Sequence, residues 1–202
     1  MNFNKHSDLE NQHAFLGGSK YHWVNYDEEK IDSAYLKFMA IQKGIELHDL
    51  AKRLIELGVK LPKIKKAFNL YVNDAIGYRM APELTLFYSY NAFGTCDSIC
   101  FRDGLLRIHD LKTGVTAVSM RQLEIYSALF CLEYSVNPID INIELRIYQT
   151  DNDVVVNYPI PDDINFIMNK IVLFDKKIDK IKIEEERYGT WFKTRRYSSS
   201  FW

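Results

Sequence analysis

Two aspartates and a lysine near the middle of the chain have the types and spacing for metal-assisted chemistry. An Asp-Gly pair at 103–104 is typical of a two-residue β-hairpin turn. With that turn, the cross-strand register puts Asp97 directly opposite Asp110. Carboxylates that face each other about 4.5–5.5 Å apart repel unless a cation offsets them, and hard oxygen ligands suit Mg²⁺ or Mn²⁺. Lys112, two residues beyond Asp110 on the same strand face, can stabilise charge that develops on a phosphate.

A surface hairpin with solvated side chains is the alternative interpretation, and for an isolated Asp-x-Lys it is the commoner one. The neighbouring residues argue against it here. Leu106 and Ile108 precede Asp110 on one predicted strand face, while Ile99 and Phe101 follow Asp97 on the other strand. The acids therefore extend apolar faces, and a half-buried carboxylate needs a partner.

A histidine on a long predicted helix is the other candidate for chemistry. The helical period places His48 on a mainly apolar stripe with Ala51 and Ile55, and Gly44 on that stripe permits another element to approach closely. By itself this pattern fits a core histidine as well as a metal ligand, because a neutral imidazole can serve either role.

These residues must be positioned by a mixed set of helices and strands. Apolar spacing of three and four residues predicts helices, and alternating or aromatic runs predict strands. Helices are predicted over about 31–58, 63–79, 119–135 and 162–186, and strands over 83–90, 93–101, 105–111, 141–149 and 154–158. The order predicts an α/β (α+β) fold with a four- to five-stranded mixed sheet flanked by helices.

Composition excludes several classes of protein. The chain has 202 residues, 47% of them hydrophobic and 26% charged, with a formal net charge of −1. It contains no apolar run of the roughly 20 residues that a membrane-spanning helix needs, and its first residues lack the pattern of a secretory leader. We expect a cytoplasmic protein that does not interact with membranes. The cysteines number three, with no Cys-x-x-Cys pair, which predicts small buried residues: Cys96, Cys100 and Cys131.

Three motifs together resemble a known family. The segments GTCDSI (94–99), IHDLKTG (108–114) and QLEIY (122–126) are similar to the Gly-x-x-Asp, (Asp/Glu)-x-Lys and Gln-x-x-x-Tyr motifs of the RecB-like branch of the PD-(D/E)xK nuclease superfamily. That branch includes phage-lambda-type exonucleases and CRISPR adaptation nucleases. Upstream, KGIELHDLA (43–51) resembles its Gly-x-x-x-His helix, and HAFLGGSKYHW (13–23) resembles its N-terminal segment more weakly. The resemblance covers about residues 13–148.

The resemblance implies a role for each matched residue. His48, Asp97, Asp110 and the backbone carbonyl of Leu111 would ligate the metal, and Asp97, Asp110 and Lys112 would form the catalytic set. Gln122 and Tyr126 would lie beside the substrate, although Tyr126 packing under the sheet with Gln122 capping a backbone group is an alternative. Glu83, just after Pro82, matches an acidic residue that some members carry before the aspartate strand. Members with an iron–sulfur cluster use four cysteines, so no cluster is expected here.

The function implied is a Mg²⁺-dependent deoxyribonuclease, with Mn²⁺ as a substitute, from a phage or mobile element. Its core would be restriction-endonuclease-like, and it would act as an exonuclease that processes DNA ends in recombination or replication. Such a protein would lie in a bacterial or phage-infected cytoplasm, bind DNA, partner a recombination or replication protein, and form oligomers in some members. Two alternatives remain: a catalytically silent DNA-binding or scaffold protein of the same fold, and a structure- or site-specific endonuclease.

The predicted organisation is one nuclease domain over 1–190, on which residues 1–30 pack, followed by a basic and aromatic tail over 191–202. Four lysines cluster between two predicted helices, where they could grip phosphates or simply be solvated: Lys60, Lys63, Lys65 and Lys66.

Overall fold

The computed structural model of the chain describes residues 3–9, 14–114, 119–151 and 153–198. By their internal packing the residues divide into two compact units, Met1–Leu47 and His48–Trp202. The first unit contains two short 3₁₀ segments, Ser7–Leu9 and Gly18–Asn25, and the beginning of helix α1, which spans Glu28–Glu56. In this unit the ring of Phe15 lies 5.2 Å from Tyr35 and 5.4 Å from Phe38. His13, which begins the N-terminal segment of the resemblance, lies outside the described residues.

The second unit is built on a five-stranded sheet in the order β1-β2-β3-β4-β5. Neighbouring strands are antiparallel except for β3 and β4, which are parallel. The sheet is therefore mixed, as the sequence predicts. The strands are β1 (Ala81–Ser89), β2 (Ala92–Arg102), β3 (Leu105–Leu111), β4 (Asn142–Thr150) and β5 (Asp153–Asn157).

Helices cover the sheet, which lies between two hydrophobic cores. The helices after α1 are α2 (Ala67–Gly77), α3 (Arg121–Glu133) and α4 (Pro161–Ser198). One core joins α3 and α4 to the sheet through residues such as Leu123, Ile164 and Ile108. The other joins α2 and the end of α1 to Cys100, Leu111 and Tyr148. The predicted α/β fold, a mixed sheet flanked by helices, is confirmed.

The turn between β2 and β3 has the conformation that its sequence predicts. Asp103 and Gly104 both have positive φ, 50° and 71°, which is the signature of the type I′ turn favoured by Asp-Gly. The strands pair from Arg102 opposite Leu105 through Ser98 opposite His109. The predicted register of the hairpin is confirmed as far as Ser98 and His109, one residue short of the expected pair of Asp97 and Asp110.

Helix α4 runs well past the predicted end at residue 186. Its backbone stays helical through 198, so most of the stretch assigned to the tail is helix, and residues 199–202 lie outside the described part of the chain. Among the described residues, no helix combines the length and apolar character needed to cross a membrane.

The three cysteines are free and buried. Cys96 and Cys131 lie in the core under α3, whereas Cys100 lies in the core under α2. Burial raises the pKa of Cys96 to about 12 and that of Cys131 to about 11. Thiols held in the protonated state are poor nucleophiles and poor metal ligands. The burial of all three side chains confirms the prediction of small buried residues.

Candidate functional site

The ladder between β1 and β2 is interrupted where Glu83 meets Asp97. Pro82 pairs with Ser98 and Leu84 pairs with Cys96, but the pair between them is missing from the ladder. Glu83 has a φ of 49°, in a region that costs a non-glycine residue about 1–3 kcal/mol and recurs at functional sites. The strand at the edge of the sheet tolerates Pro82 and this break because its outer side has no further strand to pair with.

The break also changes which way β2 presents its side chains. Cys96 and Ile99 lie in the same core although they are three residues apart, and strict alternation would place them on opposite faces. The alternation of side chains therefore breaks between Cys96 and Ile99. Alternation through Thr95, Asp97 and Ile99 therefore does not hold, and Thr95 is exposed.

Three side chains from three elements converge at this break. His48 of α1, Glu83 of β1 and Asp97 of β2 each offer one ligand atom, and these atoms all lie within 4.8 Å of one another. His48 Nδ1 is 3.4 Å from Asp97 Oδ2, longer than an ordinary N–H···O hydrogen bond. Two ligands of one small cation at about 2.1 Å would be about 3–4 Å apart, so this spacing suits a shared divalent ion.

Asp110 lies beside this group and is buried, with 2% of its surface exposed. Its Oδ1 accepts a hydrogen bond from Lys112 Nζ at 2.9 Å, but its Oδ2 is buried without a hydrogen-bond partner among the described residues. Asp97 Oδ2 accepts from the backbone N–H of Leu111 at 2.8 Å, which ties Asp97 to the strand of Asp110. An orphaned buried carboxylate oxygen calls for an ion or a water.

The pKa values of Asp110, Glu83 and His48 are all raised, in part by the negative charge of Asp97. Burial, followed by the charge of Asp97, raises the pKa of Asp110, against the opposing effect of Lys112. Burial and Asp97 likewise raise the pKa of Glu83. The contact with Asp97 raises the pKa of His48, although burial opposes it. Each shift favours a state with less negative charge, which a bound cation would also supply.

A chain of hydrogen bonds leads from Lys112 to helix α3. Lys112 Nζ donates to Gln122 Oε1 at 3.0 Å as well as to Asp110. Gln122 Nε2 donates to Tyr126 Oη at 3.0 Å. Lys112 thus uses two of its three ammonium protons in hydrogen bonds to protein acceptors, and these bonds fix the position of the ammonium group.

Gly94 makes room for this chain, a role that the motif match alone did not reveal. A Cβ added at Gly94 would lie 2.9 Å from the Tyr126 ring, closer than side-chain atoms pack. The glycine of the Gly-x-x-Asp segment therefore admits the tyrosine of the Gln-x-x-x-Tyr segment. Its only sequence signal is a glycine inside a strand pattern, which marks close approach of another group.

The predicted site residues fall into two adjoining sets. His48, Asp97 and Glu83 form the three-residue group, whereas Asp110 belongs with Lys112, Gln122 and Tyr126 in the hydrogen-bonded chain. Asp110 is thus next to the group of three and not within it. Leu111 contributes its N–H to Asp97, and the role of its carbonyl as a ligand stays a prediction.

No protein-family model, curated protein or solved structure matches the chain.

Proposed function

We propose that the protein is a metal-dependent nuclease that hydrolyses phosphodiester bonds in DNA and acts on DNA ends. The observation that carries the proposal is the convergence of His48, Glu83 and Asp97 beside a buried Asp110 whose second oxygen has no partner. The motifs that resemble the RecB-like PD-(D/E)xK branch contain all of these residues except Glu83, whose match is weaker.

The donor set fits Mg²⁺ or Mn²⁺. Carboxylate oxygens are the preferred ligands of both ions, and an imidazole nitrogen makes Mn²⁺ the better fit of the two. Glu83, Asp97 and His48 would hold the ion, and Asp110 would contribute its free Oδ2. A bound divalent ion lowers the pKa of water and offsets charge on the scissile phosphate.

Lys112 would act on the reacting phosphate. Its side chain is 34% exposed, and its ammonium carries one proton that is not directed at Asp110 or Gln122. That N–H can donate a hydrogen bond to a phosphate oxygen as negative charge accumulates there. Gln122 and Tyr126 then serve as positioning residues, because they reach the chemistry through the lysine.

The test is a cleavage assay with linear DNA in the presence of Mg²⁺ or Mn²⁺. Lys112→Met removes the ammonium at similar length, and we expect it to lower the rate by about a thousandfold or more while leaving folding intact. Lys176→Met, on the exposed face of α4, is the matched control and should keep full activity. Unchanged metal-dependent cleavage by the Lys112 variant would rule out the proposed mechanism.

The same assay with closed circular DNA separates the kinds of nuclease. Cleavage that requires free ends identifies an exonuclease, and cleavage of circles identifies an endonuclease. Binding to DNA with no cleavage of either form, at any metal concentration, would contradict the nuclease and leave a binding protein.

A further inference from the structure

A groove lies between helix α2 and the connection that leads into it from α1. Its volume is about 430 Å³, within the usual range for binding sites of small ligands and side chains. We refer to it as the lysine groove; it is lined by Lys60, Leu61, Lys63, Ile64, Lys65, Leu70, Asn73 and Asp74.

The rim of the lysine groove is positively charged. Lys60, Lys63 and Lys65 are exposed, and within the described ranges none of them forms an ion pair. The one acid of the lining, Asp74, is already engaged, since its Oδ2 accepts from Tyr148 Oη at 2.7 Å and from Arg146 at 3.3 Å. The groove therefore presents three unpaired cations to a ligand, whereas its one carboxylate is paired with Arg146.

The floor of the lysine groove is aliphatic. Leu61 and Leu70 are half-buried there, and Ile64 remains 45% exposed. The lining contains no aromatic ring. A sugar–phosphate backbone has nothing apolar to fill such a floor, and unpaired bases bind best by stacking on aromatic side chains. An alkyl or aromatic side chain of a peptide would fill it.

The backbone of the connection is fixed before any ligand arrives. Asn73 of α2 accepts from the N–H of Leu61 at 2.8 Å and donates to its carbonyl at 3.0 Å. Asn69 donates to the carbonyl of Pro62 at 3.0 Å. Because these bonds hold the backbone of the connection in place, little backbone entropy remains to be lost on binding.

We propose that the lysine groove binds an extended acidic peptide segment of a partner protein, anchored by one bulky apolar side chain in the floor. Aspartates or glutamates on either side of the anchor would pair with Lys60, Lys63 and Lys65, as in other acidic-motif recognition. None of the residues that line the groove belongs to the proposed metal site. Peptide binding there would require neither a metal ion nor DNA cleavage.

The experiment is a selection of peptides from a random phage-displayed library on the intact protein in EDTA. The most enriched peptide is then synthesised with a fluorophore, and its binding is measured by anisotropy. We expect enriched sequences to combine several acids with one large apolar residue. Charge reversal of Lys60, Lys63 and Lys65 to Glu should weaken binding by at least about tenfold, and Ile64→Ser by a few fold.

The matched control reverses three exposed lysines of α4, namely Lys176, Lys177 and Lys180, and should leave peptide binding unchanged. Circular dichroism of each variant excludes misfolding as the cause. Enrichment of no peptide, or of peptides whose binding ignores the groove substitutions, would overturn the proposal. It would also be overturned if the groove substitutions abolished binding of an oligonucleotide while no acidic peptide was enriched, since the groove would then serve nucleic acid.

Discussion

His109 and Asp110 are neighbours on β3, yet they enter two polar clusters of opposite character on the two faces of the sheet. The His109 cluster pairs its charges. Glu144 Oε1 accepts from Arg107 Nε at 3.0 Å and from Arg146 Nε at 3.1 Å, and Asp74 accepts from Arg146. Two acids thus face two guanidinium groups, and the charges balance within the protein.

The Asp110 cluster does not balance. Glu83, Asp97 and Asp110 contribute three carboxylates against the ammonium of Lys112 and a histidine. One carboxylate oxygen has no partner, whereas Tyr158 and the two arginines occupy both oxygens of Glu144. A balanced buried network leaves no charge uncompensated, whereas an excess of buried charge of one sign is destabilising until a ligand of the opposite charge binds. This excess of negative charge is the physical reason for proposing a cation on the Asp110 face.

The largest effect should come from breaking the balanced cluster. Glu144→Gln leaves both arginines without their anion, and we expect it to lower the free energy of unfolding by about 3 kcal/mol. Urea unfolding in EDTA measures this. The side chains of Arg107 and Arg146 are 22% and 19% exposed. A loss under about 1 kcal/mol would therefore mean that solvent screens both ion pairs with Glu144.

Binding of a metal ion to the Asp110 cluster should raise the free energy of unfolding by a similar amount. An ion present at about a hundredfold its dissociation constant adds about 2.7 kcal/mol to the free energy of unfolding. We expect this increment for Mn²⁺ or Mg²⁺ in the natural protein and in Glu144→Gln. It should be largely lost in Asp97→Asn, and an equal increment in that variant would place the ion elsewhere.

The balanced cluster should also make the fold sensitive to acid through His109. Burial, and then the charges of Arg146 and Arg107, lower the pKa of His109 to about 3. The unfolded chain binds a proton near the ordinary pKa of 6.5 and the folded protein does not. The contribution of His109 is therefore complete above that pH and falls by about 2 kcal/mol between pH 8 and pH 5.

Nuclear magnetic resonance measures this directly, because the ring protons of His109 should show no titration above about pH 4. A normal titration near pH 6.5 would show that the cluster accepts a third cation. Glu83 and Asp110, whose pKa values are raised, change stability in the opposite direction, so a global pH profile alone would not isolate His109.

The unbalanced cluster was easier to predict from the sequence than the balanced one. The Asp-Gly turn fixes the register locally, so Asp97, Asp110 and Lys112 could be placed together from a stretch of sixteen residues. The balanced cluster joins Arg107 to Glu144 and Asp74 to Arg146, across 37 and 72 residues. Such pairs depend on the parallel pairing of β3 with β4, and no local pattern encodes it.

Glu83 shows what the sequence left open within the site itself. Its acid type was visible, but its position depends on the positive φ and on the break in the edge ladder. Regular alternation fails at this step. Asp110 was expected beside a cation both from the hairpin register and by resemblance. In the fold its Oδ1 contacts Lys112 and its Oδ2 has no partner among the described residues, so its role as a ligand stays a prediction.

The smallest predicted change in the free energy of unfolding is that of Asp110→Asn. Its sign is opposite to that of Glu144→Gln, so it tests the comparison of the two clusters most directly. The raised pKa of Asp110 means that the folded protein favours its protonated form more than the unfolded chain does, so ionisation of Asp110 costs stability. Asp110→Asn removes that charge at nearly constant volume, although it also weakens the contact with Lys112. We expect the metal-free variant to be more stable by about 1 kcal/mol, while DNA cleavage falls by about a thousandfold. A variant destabilised as much as Glu144→Gln would show that Lys112 alone balances Asp110 and that this face needs no cation.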